Sequence, residues 1–315
     1  MSAYIARRLV GMLPTLALLV IATAGLVRLA PGNPVDLILQ ESLATQDQRA
    51  DLEERLGLHD PFPITLVNYA GDLADGSLGR SLWDSQTVRS EVSERLPATV
   101  ELALLAMSVA VAIGVPVGVL GAVRRNKPED LVSRSIVLVW LSVPNFVLAT
   151  AVVILPAVYW GWTPPLKYVR LSDDPISNLR FFILPSLILG TALSASIARF
   201  TRTSMLEIYR ADFMRTARSR GLSERVVVWR HGVRNALIPV LTLLGSQIAN
   251  VLGGSVVIEQ VFGIPGLGRL LLDAISTRDY PVVQGIALCI GLIVLMANLV
   301  VDVCYVLVDP RIRLA

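Results

Sequence analysis

The chain has 315 residues, 54% of them hydrophobic and only 17% charged, with a mean hydropathy of +0.62. A soluble domain is about 25% charged, so this composition excludes an ordinary soluble enzyme and a disordered chain alike, and it points to lipid. The 28 Lys and Arg against 25 Asp and Glu give a net charge of +3; in a membrane protein such an excess records the sidedness of loops rather than an affinity for nucleic acid.

Crossing about 30 Å of hydrocarbon takes roughly 20 mainly apolar helical residues. In chain order, residues 9–29, 98–123, 131–159, 181–198, 236–258 and 282–308 meet that requirement. Arg7 and Arg8 before the first segment, and Ala22-Thr23-Ala24 within it, resemble a signal peptide; we read it as an uncleaved span. Residues 31–97 are too polar for lipid, and the runs 45–56 and 64–73 carry helical spacing of apolar residues. They predict a small cap of short helices, in which Leu58, Pro61, Phe62 and Trp83 either pack under the loop or face an external partner. The expected organisation is an N-terminal span at 1–30, the cap at 31–97, and a five-helix core at 98–315 that contains a charged loop at 203–235.

Arg7 and Arg8, then Arg124, Arg125 and Lys127, then the nine arginines between Arg199 and Arg234, then Arg311 and Arg313 all fall on one side of a six-span arrangement. Basic short loops stay in the cytoplasm, so both termini and the 203–235 loop are expected there. The cap is expected outside.

An ionisable residue at a helix centre costs about 2.5–3.5 kcal/mol on insertion scales. Arg28, Glu101, Glu259 and Asp302 sit towards span ends, where they can snorkel or face water, and His59 and His231 fall in loops. This pattern argues against a proton-driven secondary transporter and against an intramembrane hydrolase. Cys289 and Cys304 share the last apolar block, which offers neither a disulfide framework nor a metal site. The uncharged polar residues Ser142, Asn145, Thr191, Gln247 and Asn250 lie at mid-span, where they either line a water-filled pathway or join helices. No segment matches the phosphate loop G-x-x-x-x-G-K-[ST], and the glycine-rich run from Gly263 to Gly268 follows a membrane helix and reads as a turn. No catalytic residue, metal ligand or cofactor is expected in this chain.

In the charged loop, the stretch from Tyr209 to Arg220 has helical propensity with no break until Gly221, which can end a helix in a left-handed turn. Ser223 can cap a second helix running through Trp229. A protruding helix pair rich in arginine suits anionic headgroups or a soluble partner.

The order Arg215-Thr216-Ala217-Arg218-Ser219-Arg220-Gly221-Leu222-Ser223-Glu224, then Arg234-Asn235-Ala236-Leu237-Ile238-Pro239, resembles the EAA motif of membrane permease subunits of ATP-binding-cassette importers of the dipeptide, oligopeptide and nickel type. Its leading Glu is Arg215 here and its first Ala is Thr216. Pro31-Gly32-Asn33-Pro34, Leu56-Gly57-Leu58, Gly79-Arg80-Ser81-Leu82, Arg95-Leu96-Pro97-Ala98-Thr99, Ser142-Val143-Pro144-Asn145-Phe146, Ile264-Pro265-Gly266-Leu267-Gly268 and Asp309-Pro310-Arg311-Ile312-Arg313 extend the likeness along the whole chain.

The resemblance implies an all-α integral membrane protein of six transmembrane helices, a type I ABC importer permease with a small helical extracytoplasmic cap, in a bacterial or archaeal plasma membrane. It implies that Arg215, Thr216, Ala217, Arg218, Gly221, Leu222, Ser223 and Glu224 form the coupling helix and turn that lodge in a cytoplasmic ATPase subunit. The implied partners are a second homologous permease, two ATP-binding-cassette ATPase subunits or domains, and an extracytoplasmic substrate-binding protein, besides membrane lipid. ATP and Mg belong to the ATPases. The implied cargo is a peptide or a similar small solute, with a nickel chelate or glutathione as alternatives within the family.

Overall fold

The protein is described from a computed structural model covering residues 2–29, 35, 53, 60–84, 86–165 and 167–308. Most of the expected cap run 45–56 lies outside the described residues, as do Leu58, His59, Pro31-Gly32-Asn33-Pro34, Leu56-Gly57-Leu58 and the motif from Asp309 to Arg313. The helices are α1 (Ser2–Leu29), α2 (Phe62–Ala74), α3 (Val88–Val123), α4 (Pro128–Ser142), α5 (Asn145–Trp160), α6 (Pro175–Tyr209), α7 (Asp212–Ser219), α8 (Glu224–Phe262), α9 (Leu267–Thr277) and α10 (Tyr280–Val308). Among the described residues no strand forms; Arg80 and Thr87 make an isolated antiparallel bridge.

The chain divides into two compact units. The first comprises Met1–Pro97 and Arg269–Met296. In it α2 packs on α1, and Arg28 near the end of α1 donates to the carbonyl of Asp60 and to Thr65 Oγ1 at 2.8 Å while its guanidinium lies over the Phe62 ring. Gln284 of α10 donates to the Thr23 carbonyl of α1 at 2.9 Å. Asp279, between α9 and α10, is buried and accepts from Ser81 Oγ at 2.6 Å and from the Leu82 backbone N–H. Burial pushes its carboxyl above the usual range, and the Ser81 bond opposes that shift.

The second unit comprises Ala98–Gly268 and Ala297–Ala315. Its core is built from Leu102, Ala106 and Ala110 of α3, Phe182, Leu189 and Ile197 of α6, and Val240, Val251 and Ile258 of α8. Small residues let α3 and α6 touch backbone to backbone. A Cβ at Gly114 would meet the Ser194 carbonyl oxygen at 2.7 Å, one at Gly118 the Ala198 oxygen at 2.5 Å, and one at Gly190 the Ala106 oxygen at 2.6 Å. Gly114-x-x-x-Gly118 is the small-residue spacing through which membrane helices approach closely.

Residues 131–159 do not form the single straight span expected. The helix breaks at Val143 and Pro144, both extended, and α4 and α5 meet at 86°. Proline lacks an N–H and pushes the residue before it out of helical geometry. The two halves nevertheless complete one crossing. Near its start α6 is joined to α3 by Asn178 donating to Glu101, and towards its other end Arg202 is paired with Asp130, just past the end of α3. Thus α3 and α6 run parallel, and the chain between them must traverse the full depth of the unit.

Two other spans are longer than the expected 181–198 and 236–258. Asp174 starts α6 early by accepting the backbone N–H groups of Ile176 and Ser177, and α8 runs unbroken from Glu224 to Phe262. At 1.5 Å per residue these helices are about 52 and about 58 Å long, so both extend beyond the hydrocarbon. His231, expected in a loop, lies in a π-helical turn of α8, Val227–Val233.

Glu259 corrects the expectation that it snorkels or faces water. It is fully buried near the end of α8 and accepts from Thr99 Oγ1 at 2.7 Å, while Thr99 in turn accepts the Leu267 N–H at 2.8 Å. Gly266 and Gly268 lie so close that a Cβ on either would strike the carboxylate, at 2.4 and 2.9 Å. The glycine-rich run is therefore a wrapping for a buried acid.

Candidate functional site

The element expected to run unbroken from Tyr209 to Arg220 is divided. Helix α6 ends at Tyr209, Ala211 is extended, and α7 begins at Asp212. Helix α7 is amphipathic: Met214 and Ala217 pack with Val227 of α8 against Ile208 and Tyr209 of α6, while Arg215, Thr216 and Ser219 face out. The chain then turns at Gly221, with φ of +74° as expected. A side chain there would meet nothing within 4 Å, so the need for glycine is one of backbone conformation. Ser223 occupies the N-cap position of α8, but its hydroxyl makes no capping bond.

Arg218 holds the turn closed. Its Nε donates to Glu224 Oε2 at 3.2 Å and its Nη2 to Oε1 at 3.1 Å, and the guanidinium lies 4.8 Å from the centroid of the Tyr209 ring. Tyr209 Oη donates to the same carboxylate at 3.1 Å. One acid therefore ties the end of α6, the end of α7 and the start of α8 together. The Glu224 bond pushes the Arg218 pKa further up, and slight burial opposes it. An exposed ion pair contributes roughly 0.2–1 kcal/mol, and a bidentate geometry with an aromatic face adds to that. Arg215, 3.6 Å from Asp212 with both groups exposed, gains little.

The exposed side chains of this element include both apolar and basic ones. Phe213, Leu222, Val226 and Trp229 are exposed, and so are Arg215, Arg220, Arg225 and Arg230. An exposed aromatic and aliphatic cluster together with arginine has the make-up of a protein interface. The π-helical turn that carries Trp229 also brings Gly232 against Met205 of α6, where a Cβ would lie 3.1 Å from the methionine methyl group. Neither the π turn nor the Arg218–Glu224–Tyr209 cluster is read from the sequence. A spacing of six residues across a glycine turn has no helical periodicity to betray it.

The expected pathway residues separate into three places. Gln247 and Asn250 are adjacent on α8, with Asn250 Nδ2 donating to Gln247 Oε1 at 2.8 Å; Gln247 is buried and Asn250 exposed. Ser142 and Asn145 flank the break between α4 and α5, and the Ser142 hydroxyl donates to the Leu138 carbonyl. Thr191 lies within α6 and donates to the Ile188 carbonyl. Along α8, Thr242, Ser246, Asn250, Gly253 and Gln260 are all exposed. Val257 is exposed on the same face, which is otherwise polar or small, whereas the exposed face of α4 carries Leu131, Val132, Ile136, Leu138 and Val139.

Residues 114–314 match the family model described as the binding-protein-dependent transport system inner membrane component. The chain belongs to that family. It is 42% identical over 313 residues to a putative peptide transport system permease protein of Brucella abortus (strain 2308), covering 99% of each chain. It is 40% identical to a dipeptide transport system permease protein of Alkalihalophilus pseudofirmus, covering 99% of this chain and 100% of that one. A glutathione transport system permease protein of Salmonella choleraesuis is 38% identical, with 99% of each covered. Among solved structures, an inward-facing MetNI methionine ABC transporter matches with a TM-score of 0.57 at 18% identity, over 70% of this chain and 96% of that one. An amino acid ABC transporter matches at 0.54 and 19%, over 69% and 94%. These two share the fold. The permease is thus an all-helical, multi-pass inner-membrane protein.

Proposed function

We propose that this permease forms, with a second homologous permease, the membrane pathway of an ATP-driven importer of peptides or similar small solutes. The observation that carries the reading is the continuity of α8. It begins at the arginine-rich turn beside α7 and runs unbroken into the exposed polar stripe at Ser246, Asn250 and Gly253. A partner that engages the turn acts directly on the residues that water and cargo would meet. The names of the relatives, most of them peptide permeases, support the cargo class.

In this mechanism two ATP-binding-cassette ATPases seat the α7–α8 turn and hydrolyse ATP. Their closure displaces the turn, and α8 transmits the displacement to the pathway so that access alternates between the two faces. Since a ligand shifts a conformational equilibrium only by its differential affinity for the two states, the turn has to move nearly as a rigid body. Arg218, Glu224 and Tyr209 supply that rigidity. No chemistry is assigned to this chain, which needs no cofactor of its own; an extracytoplasmic binding protein delivers and selects the cargo.

The test is uptake of a labelled dipeptide by proteoliposomes holding the permease with its partner subunits and binding protein. ATP-dependent uptake competed by dipeptides supports the reading, whereas uptake competed only by glutathione assigns the cargo to that tripeptide. A cysteine at Asn250 should react with a small hydrophilic thiol reagent at a rate that changes when the complex is trapped with ATP. Equal inertness in both states removes the pathway assignment of the stripe.

A further inference from the structure

The face shared by α3, α4 and α6 has a design the transport pathway does not use. Close contact at Gly118 brings α3 onto α6, and α4 is held to α6 by buried Asp130. Asp130 accepts from Arg202 Nε at 2.9 Å and Nη2 at 3.0 Å, and from Arg134 Nη2 at 2.6 Å. A fixed groove of about 240 Å³ remains between the helices. Val117, Val137, Leu138 and Ala198 form its apolar walls, and Arg134, Arg199 and Arg202 stand among them.

Thr203 is shared with a second cavity of about 390 Å³, lined otherwise by Arg125, Leu206, Glu207 and Arg210. Asp130 is taken up by two of the arginines, and Glu207 is the only carboxylate lining the second cavity. Arg125, Arg199 and Arg210 make no ion pair among the described residues. Around this corner lie exposed Leu131, Val132, Ile136 and Phe200, so an apolar surface ends here in an excess of positive charge.

We propose that this corner is a binding site for an anionic phospholipid of the phosphatidylglycerol class. Its phosphate sits at Thr203, where the two cavities meet, with Arg199 on one side and Arg125 and Arg210 on the other, and one acyl chain lies in the groove past Val137 and Leu138. Charge complementarity selects an anion, and basic pockets between membrane helices on the cytoplasmic side hold anionic headgroups. The adjoining apolar groove selects an amphiphile, since a free phosphate would leave those walls bare. The lipid would brace the end of α6 that leads into Tyr209 and the α7 turn.

The experiment uses the permease assembled with its partner subunits, stripped of lipid in detergent, exposed to vesicles of mixed phosphatidylcholine and phosphatidylglycerol, repurified, and extracted for mass spectrometry. The wild type should retain phosphatidylglycerol in preference to phosphatidylcholine. In the variant carrying Arg125→Gln, Arg199→Gln and Arg210→Gln, that preference should fall by roughly fivefold for each arginine removed. A variant carrying Arg89→Gln, Arg170→Gln and Arg180→Gln, all exposed and far along the chain from both the groove and the α7–α8 turn, removes equal charge elsewhere and should keep the preference. Leu138→Trp, at an exposed position, fills the groove and should lower retention of both lipids without unfolding the chain. Retention unchanged in both the first variant and Leu138→Trp would overturn the site. Loss of preference in both arginine variants would reduce it to a diffuse surface charge, and displacement of the lipid by inorganic phosphate alone would assign the arginines to a free anion.

Discussion

The two ends of α8 are built on opposite plans. At Glu224 the helix begins in the open, beside a glycine turn with space around it, a half-exposed arginine clamp and apolar side chains that stay exposed among the described residues. Near Phe262 it finishes around Glu259, a carboxylate fully enclosed by Thr99, Gly266 and Gly268. The carboxyl group at the first end is displayed; at the second it is enclosed and hydrogen-bonded. A buried acid that loses its partners is strongly destabilising, so the sealed end resists rearrangement. An exposed clamp worth about 1 kcal/mol can be remade against another protein. One end of the helix is fixed as a pivot and the other is offered as a handle.

Substitutions at the two ends should therefore fail in different ways. Glu259→Ala removes the acid from its glycine wrapping and leaves the buried Thr99 hydroxyl without its acceptor, while the Leu267 N–H keeps Thr99 Oγ1. Loss of a buried hydrogen-bonded group together with cavity formation should cost about 2–4 kcal/mol, read as a lowered thermal unfolding temperature and poor recovery of the complex. A Glu259→Ala permease that is normally stable yet inactive would show that the sealed end is itself the moving part.

Gly221→Val should leave unfolding and membrane insertion nearly unchanged while transport and substrate-stimulated ATP hydrolysis fall at least tenfold. The left-handed backbone costs an L residue about 1–2 kcal/mol, more for a β-branched one, and the new side chain projects into the space where a partner would sit. Normal transport at unchanged expression would place the coupling element elsewhere.

Arg218→Ala should reduce coupling several-fold. Glu224→Gln, which keeps the Tyr209 contact but weakens the ion pair, should be milder, with Arg218→Lys between the two because lysine cannot form the fork. The sequence alone makes Arg218 one charge on a crowded basic surface, and the bidentate clamp is what raises the expected effect. Arg215→Ala should sit lowest, within the scatter of uptake assays, because its exposed pairing with Asp212 gains little. An Arg215→Ala defect larger than that of Arg218→Ala would mean that direct contact with a partner outweighs the internal clamp.

Hydropathy made most of the span positions legible, because burial in lipid imposes long apolar runs whatever the packing. Pro144 was equally visible, but averaging over a window hides a single residue whose effect is geometric, and so the 86° bend went unread. The enclosure of Glu259 is hidden in the sequence for a related reason. Its position along the helix says how near the end it lies but not whether it faces water or a neighbour, and the neighbour here is Thr99, 160 residues away in sequence. Gly221 was legible because a left-handed turn leaves its mark on one residue. The groove under Arg199 was not, because it is made by three helices and by the glycines that let two of them touch.

The π-helical turn at Val227–Val233 holds more residues per turn than the helix on either side of it. Removing one residue from that turn would let α8 close into a regular helix, and because the wide turn already absorbs an extra residue, the segments on either side would keep nearly their present facing. The same deletion in the regular helix beyond the turn would rotate the cluster around Trp229 by about 100° relative to the stripe. The turn is thus the point on the rod where its length can change by one residue and leave its two faces in phase.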